Sequence, residues 1–116
     1  MLNKFAEIKE RFSGNVIVML HPYLEYVVDD ILQSGGWYRQ MVAEMDRLRR
    51  EMPLAAKGHG FKFVDLTDVI HDHMRQSGSI LARFGWYVDN AHLSPAGNRL
   101  AAERLHDVLR ELRNRP

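Results

Sequence analysis

The chain has 116 residues, of which 46% are hydrophobic and 27% charged, with a formal net charge of +1 and no cysteine. Length and balance fit one globular domain. They exclude disulfides, a thiolate zinc site and a cysteine nucleophile, and leave no global field to recruit nucleic acid. No apolar run is long enough to span a bilayer, and the first ten residues lack the apolar core of an export signal. The compartment is therefore not readable.

Leu2, Phe5, Ile8 and Phe12 recur at helical spacing, and Ser13-Gly14-Asn15 ends that helix. Val16–Leu20 is a short apolar run rich in β-branched residues, bounded by Gly14 and Pro22. It reads as a strand buried on both faces, as in a parallel sheet. Leu24, Val27, Val28, Ile31 and Leu32 fit a helical pattern that Gly35-Gly36 breaks. Tyr38, Met41, Val42, Met45, Leu48 and Met52 mark an amphipathic helix, and Lys57-Gly58-His59-Gly60 a turn. Phe61–Leu66 is the second strand. Thr67 or Asp68 caps a helix running to about Met74. Residues 75–94 read as a long loop. Ser94 as cap and Pro95 at the first helical position open the last helix, whose core face is Ala101, Leu105, Val108 and Leu112.

Strand–helix–strand–helix order predicts a right-handed crossover and a parallel sheet, hence an α/β fold. Ligands of such sheets bind beyond the carboxyl ends of the strands. Three segments are expected there: His21-Pro22-Tyr23, Asp65-Leu66-Thr67 and the Asp89–His92 loop. Asp89 and His92 stand three residues apart on a polar loop just before the last helix. A serine hydroxyl needs a base within hydrogen-bond reach, and an imidazole base needs a partner on its other nitrogen to fix its tautomer. The plain alternative is an acid that caps a turn beside an exposed histidine.

The segment Asp89-x-x-His92-Leu93-Ser94-Pro95-x-Gly97 resembles the last conserved block of the SGNH (GDSL-type) hydrolases. The likeness extends upstream through the strand and proline at Val16–Pro22, the long helix with Tyr38 and Met41, and the strand Phe63–Leu66. It covers nearly all of this chain, but only the C-terminal half or so of a family domain. The resemblance implies one partial domain over residues 1–116. Its fold would be part of a three-layer α/β/α (flavodoxin-like) sandwich with about two parallel strands and flanking helices. It also implies ester hydrolysis on a small acyl or acetyl ester without a cofactor, with His92 as general base and Asp89 as its orienting acid.

The family's nucleophile lies in a Gly-Asp-Ser block after its first strand, with oxyanion donors from that serine, a glycine and a Gly-x-Asn-Asp block. This sequence contains none of these. Ser13 precedes a strand, Ser34 sits in a glycine-rich break, Ser77 and Ser79 lack a nucleophile-elbow pattern, and Ser94 is a cap. The expectation is therefore two-thirds of a triad. Its serine would come from a missing N-terminal half, or from another chain that completes the sheet through exposed strand edges. A non-catalytic binding or assembly module that keeps the scaffold is the alternative.

His21, Pro22, Trp86 and Tyr87 are candidate pocket residues, since clefts are mostly apolar. Trp37 reads as packing. No metal site is expected. On a helix His71 and His73 diverge by about 200°, so they do not share an ion. The arginines on the third and last helices alternate with acids and read as solvated faces.

Overall fold

A computed structural model describes residues 3–27, 36–76, 85–87, 89 and 92–114. It is an α/β structure, mostly helical, with two parallel strands in one sheet. Its elements are α1 (Asn3–Arg11), β1 (Ile17–Leu20), α2 (Leu24–Val27), α3 (Gly36–Gly58), β2 (Lys62–Asp65), α4 (Thr67–Gln76) and α5 (Pro95–Arg113). They fall into two compact units. One comprises residues 1–20 and 34–65, the other 21–33 and 66–116.

The first unit holds the sheet. β1 and β2 pair in parallel with Ile17 opposite Lys62, Val18 opposite Phe63, Met19 opposite Val64 and Leu20 opposite Asp65. The Lys62 amide extends the ladder to the Val16 carbonyl at 3.0 Å. The apolar run predicts a strand buried on both faces, but only Leu20 is buried and Ile17–Met19 are half-buried. A strand with one neighbour among the described residues lacks the second flank and covering layers that bury a central parallel strand.

α3 packs on β2. Its buried residues Met41, Met45, Leu48, Met52 and Ala56 recur at three- and four-residue steps, which puts them on one stripe. Pro53 lies inside the helix, where it has no N–H to give the Arg49 carbonyl. The helix nevertheless runs on to Gly58, further than the turn expected from Lys57. Gly60, at φ +75°, then terminates it. The Phe61 amide donates to the Ala56 carbonyl (2.8 Å) and the Gly60 amide to Lys57 (3.0 Å), the pairing of a left-handed glycine C-cap. Lys9 Nζ donates to the His59 carbonyl at 2.9 Å, a cation at the negative end of the helix. Phe5 is buried edge-on against His59 and Phe61, with centroids at 6.0 and 5.8 Å, which anchors α1. Phe12, the last member of the predicted stripe, is exposed, because α1 ends one residue before it. Arg49 Nε reaches Asp65 Oδ2 at 2.7 Å and ties α3 to the end of β2.

In the second unit α2 packs on α4. Val27, Leu66, Ile70, Met74, Tyr87, Leu100 and Val108 are buried there, with Pro22. α4 begins at Thr67, and the Leu66 carbonyl accepts from Ile70 N at 3.0 Å. Thr67 is thus the first helical residue rather than the cap, and Asp68 sits in the first turn, where its charge suits the helix dipole. α4 reaches Gln76, past the end expected near Met74. Val28, Ile31 and Leu32 of the expected helical pattern, and residues 77–84, 88, 90 and 91 of the expected loop, lie outside the described residues. Among those residues, no helix is long and apolar enough to cross a membrane.

Candidate active site

The candidate site is built on the start of α5. Ser94, with φ −70° and ψ 172°, caps the helix. Its Oγ accepts from Gly97 N at 3.2 Å, and Pro95 follows, as the sequence predicts. The same hydroxyl donates to the Gly85 carbonyl, and Ser94 N donates to the Trp86 carbonyl at 3.0 Å. One residue further in, Tyr87 and Leu93 form an antiparallel bridge. Residues 85–87 and 93–94 therefore form a neck, closed by one serine and one residue pair.

Gly97 explains the glycine of the motif. A Cβ at this position would run into the Trp86 carbonyl oxygen and lie 3.1 Å from both Cβ and Cδ2 of Leu93. Only a residue without a side chain lets α5 start this close to the neck. This shifts the buried stripe of α5 to Gly97, Leu100 and Val108. Ala101, Leu105 and Leu112, expected in the core with Val108, are half-buried.

Asp89 and His92 occupy the tip. His92 Nδ1 lies 2.8 Å from Asp89 Oδ2 and 3.0 Å from Oδ1. An ionised carboxylate only accepts, so Nδ1 carries a proton, and in the neutral ring Nε2 is then the nitrogen with the lone pair of a base. The His92 ring makes no other hydrogen bond among the described residues. Asp89 Oδ1 also accepts from the His92 backbone N–H at 2.7 Å, so one carboxylate fixes both turn and ring. The pair is open to solvent, with side chains 76% and 52% exposed for His92 and Asp89.

The pocket candidates separate. Tyr87 is buried, and its hydroxyl donates to the Pro22 carbonyl at 2.6 Å. Tyr87 and Pro22 therefore join the base of the loop to the segment after β1, as packing rather than as a wall open to ligand. His21 is exposed, and its side chain makes no hydrogen bond or ion pair among the described residues. Trp86 is half-buried and meets His73 edge-on at a centroid distance of 5.6 Å. His73 Nδ1 donates to the Val69 carbonyl one turn back, at 2.8 Å. Trp37, expected to pack, is 53% exposed on the first turn of α3.

His73, Trp86, Ala96, Arg99, Leu100 and Glu103 line an open hollow of about 140 Å³. Sequence reasoning finds Trp86 but not the rest. The signal for them was the three-residue step from Gly97 to Leu100, with Arg99 and Glu103 flanking it. Among the described residues no group of three or more His, Asp or Glu side chains is placed to hold a metal ion. Comparison with protein-family models, curated proteins and solved structures yields no match.

Proposed function

We propose that this chain is the C-terminal part of an SGNH-type ester hydrolase, acting on a small acyl or acetyl ester through a serine supplied by another segment. The observation that carries the reading is the clasp of both Asp89 oxygens on His92 Nδ1, which leaves Nε2 as an oriented base. In the proposed reaction, His92 Nε2 takes the proton of the serine hydroxyl as its oxygen attacks the ester carbonyl. Asp89 holds the tautomer and stabilises the imidazolium that forms. The imidazolium then protonates the departing alkoxide, and an acyl-serine remains. His92 next removes a proton from water, whose oxygen attacks the acyl group, and the serine leaves with its proton restored. Donors for the tetrahedral oxyanion come with the nucleophile segment, because this sequence has no Gly-Asp-Ser or Gly-x-Asn-Asp block.

The exposure of the tip supports the same division of labour. Electrostatic orientation is weak in bulk water and gains strength in a dry site. In this reading a segment carrying serine and oxyanion hole covers the tip, and the two strands become part of a three-layer, flavodoxin-like sandwich. One observation favours a second reading, a non-catalytic binding or assembly module. The bond from Asp89 to the His92 backbone is what a turn cap makes with no reaction to serve.

A chromogenic short-chain ester separates the two. The purified chain is expected to be inactive. Joined to an N-terminal SGNH segment with its Gly-Asp-Ser block, it is expected to hydrolyse the ester. His92→Ala should then cut kcat by about six orders of magnitude and Asp89→Asn by about four. A joined protein that binds the ester without cleaving it sinks the hydrolase reading. Hydrolysis by the chain alone, abolished by His92→Ala, would overturn the claim that its serine comes from elsewhere.

A further inference from the structure

The hollow beside Trp86 has a chemistry of its own. Its apolar lining is formed by the buried Leu100, the half-buried Trp86 and the exposed Ala96. Its volume, about 140 Å³, is close to that of a protein cavity that takes up benzene, about 150 Å³. The walls are held in place. Trp86 belongs to the pinched neck, with its carbonyl engaged by Ser94 N at 3.0 Å. His73, edge-on to Trp86, is anchored through Nδ1 to the Val69 carbonyl.

The rim carries two opposite charges that do not neutralise each other. Arg99 and Glu103 both line the hollow. They stand four residues apart on α5, yet neither side chain makes a hydrogen bond or ion pair among the described residues. Their order is the less favourable one for an intrahelical pair, with the cation N-terminal to the acid. A cation and an anion thus face solvent side by side next to an apolar lining sized for one ring or a branched alkyl group.

We infer that the hollow of Trp86, Leu100, Arg99 and Glu103 binds a small zwitterion with an apolar side chain, of the chemical class of a free α-amino acid such as phenylalanine or leucine. The ligand carboxylate pairs with the Arg99 guanidinium, which offers a planar fork of donors. Its ammonium pairs with Glu103, and its side chain covers the apolar lining against the Trp86 ring. The inference stands apart from ester hydrolysis, since it needs neither His92 nor a serine.

The test is fluorescence titration of the full chain. Trp37 and Trp86 are its two tryptophans, so a Trp37→Phe background makes Trp86 the only indole reporter. Phenylalanine and leucine should change its emission saturably, with half-saturation at roughly millimolar concentration. Phenylacetate, which lacks the ammonium, and phenethylamine, which lacks the carboxylate, should bind at least about tenfold more weakly, and so should glycine, which lacks the side chain. Arg99→Gln and Glu103→Gln lie on the exposed rim and should each weaken phenylalanine by a similar factor while circular dichroism stays unchanged. No saturable response to phenylalanine or leucine in the folded protein overturns the inference. So does equal binding of all the analogues, or binding that survives both rim substitutions together.

Discussion

Gly97→Ala puts two opposing effects in competition. In an ordinary helix interior, alanine is favoured over glycine by about 1 kcal/mol. At Gly97 the added Cβ meets the Trp86 carbonyl oxygen, a backbone atom that cannot swing aside, and crowds Leu93 at 3.1 Å. Relieving that overlap moves α5 away from the neck and loses the bond from Ser94 N to the Trp86 carbonyl, about 1 kcal/mol. Residual overpacking adds about 1–3 kcal/mol. The cost exceeds the propensity gain, and the net loss is about 1–3 kcal/mol. With an unfolding entropy near 2.1 cal/mol/K per residue, Tm should fall by about 4–12 °C for a chain of this size. Thermal unfolding followed by circular dichroism measures it. Gly58→Ala is the internal control. It sits at the end of α3 with nothing within 4 Å of the added carbon, and should raise stability by up to about 1 kcal/mol. A Tm for Gly97→Ala equal to or above the parent, alongside the expected rise for Gly58→Ala, would refute the close-approach argument.

Tyr87→Phe removes the donor to the Pro22 carbonyl in a buried setting and should cost about 1–3 kcal/mol, read from urea unfolding. A change within about 0.5 kcal/mol would mean that the carbonyl finds another partner. The Glu44 carboxyl is held below its ordinary range chiefly by its hydrogen bonds from Arg47, opposed by desolvation and assisted by the guanidinium charge. Its contribution to stability is therefore fully present above the ordinary carboxylate pKa and is lost as pH falls through the depressed value. Carbon-detected NMR titration of Glu44 should shift back upward in Arg47→Met and at high salt. An unchanged titration would show that Arg47 is not the cause.

Local chemistry made some elements legible from sequence. Ser94 and Pro95 announce a helix start because a hydroxyl acceptor and a fixed φ suit that position whatever surrounds it. The stripe of α3 is equally plain, since methionines and leucines recur along one face. The apolar runs near Val16 and Phe61 mark two strands, because short β-branched and aromatic runs between glycines and prolines have few other homes. What failed depended on contacts distant in sequence. How deeply β1 is buried depends on neighbours a pattern cannot count. The burial of α5 shifted toward Leu100 because Gly97 touches a carbonyl eleven residues back. Trp37 and Tyr87 exchange expectations for the same reason. The spacing of Asp89 and His92 allows their pairing, but the exposure of both side chains depends on tertiary surroundings that spacing does not carry.

That neck has a consequence for engineering. The bonds that close it use main-chain groups, the Ser94 hydroxyl and the space left at Gly97. None uses the side chain of Asp89 or His92. The neck is thus set independently of the pair it carries: substitutions at Asp89 or His92 change the turn that the carboxylate caps, while the bonds of the neck hold its span constant.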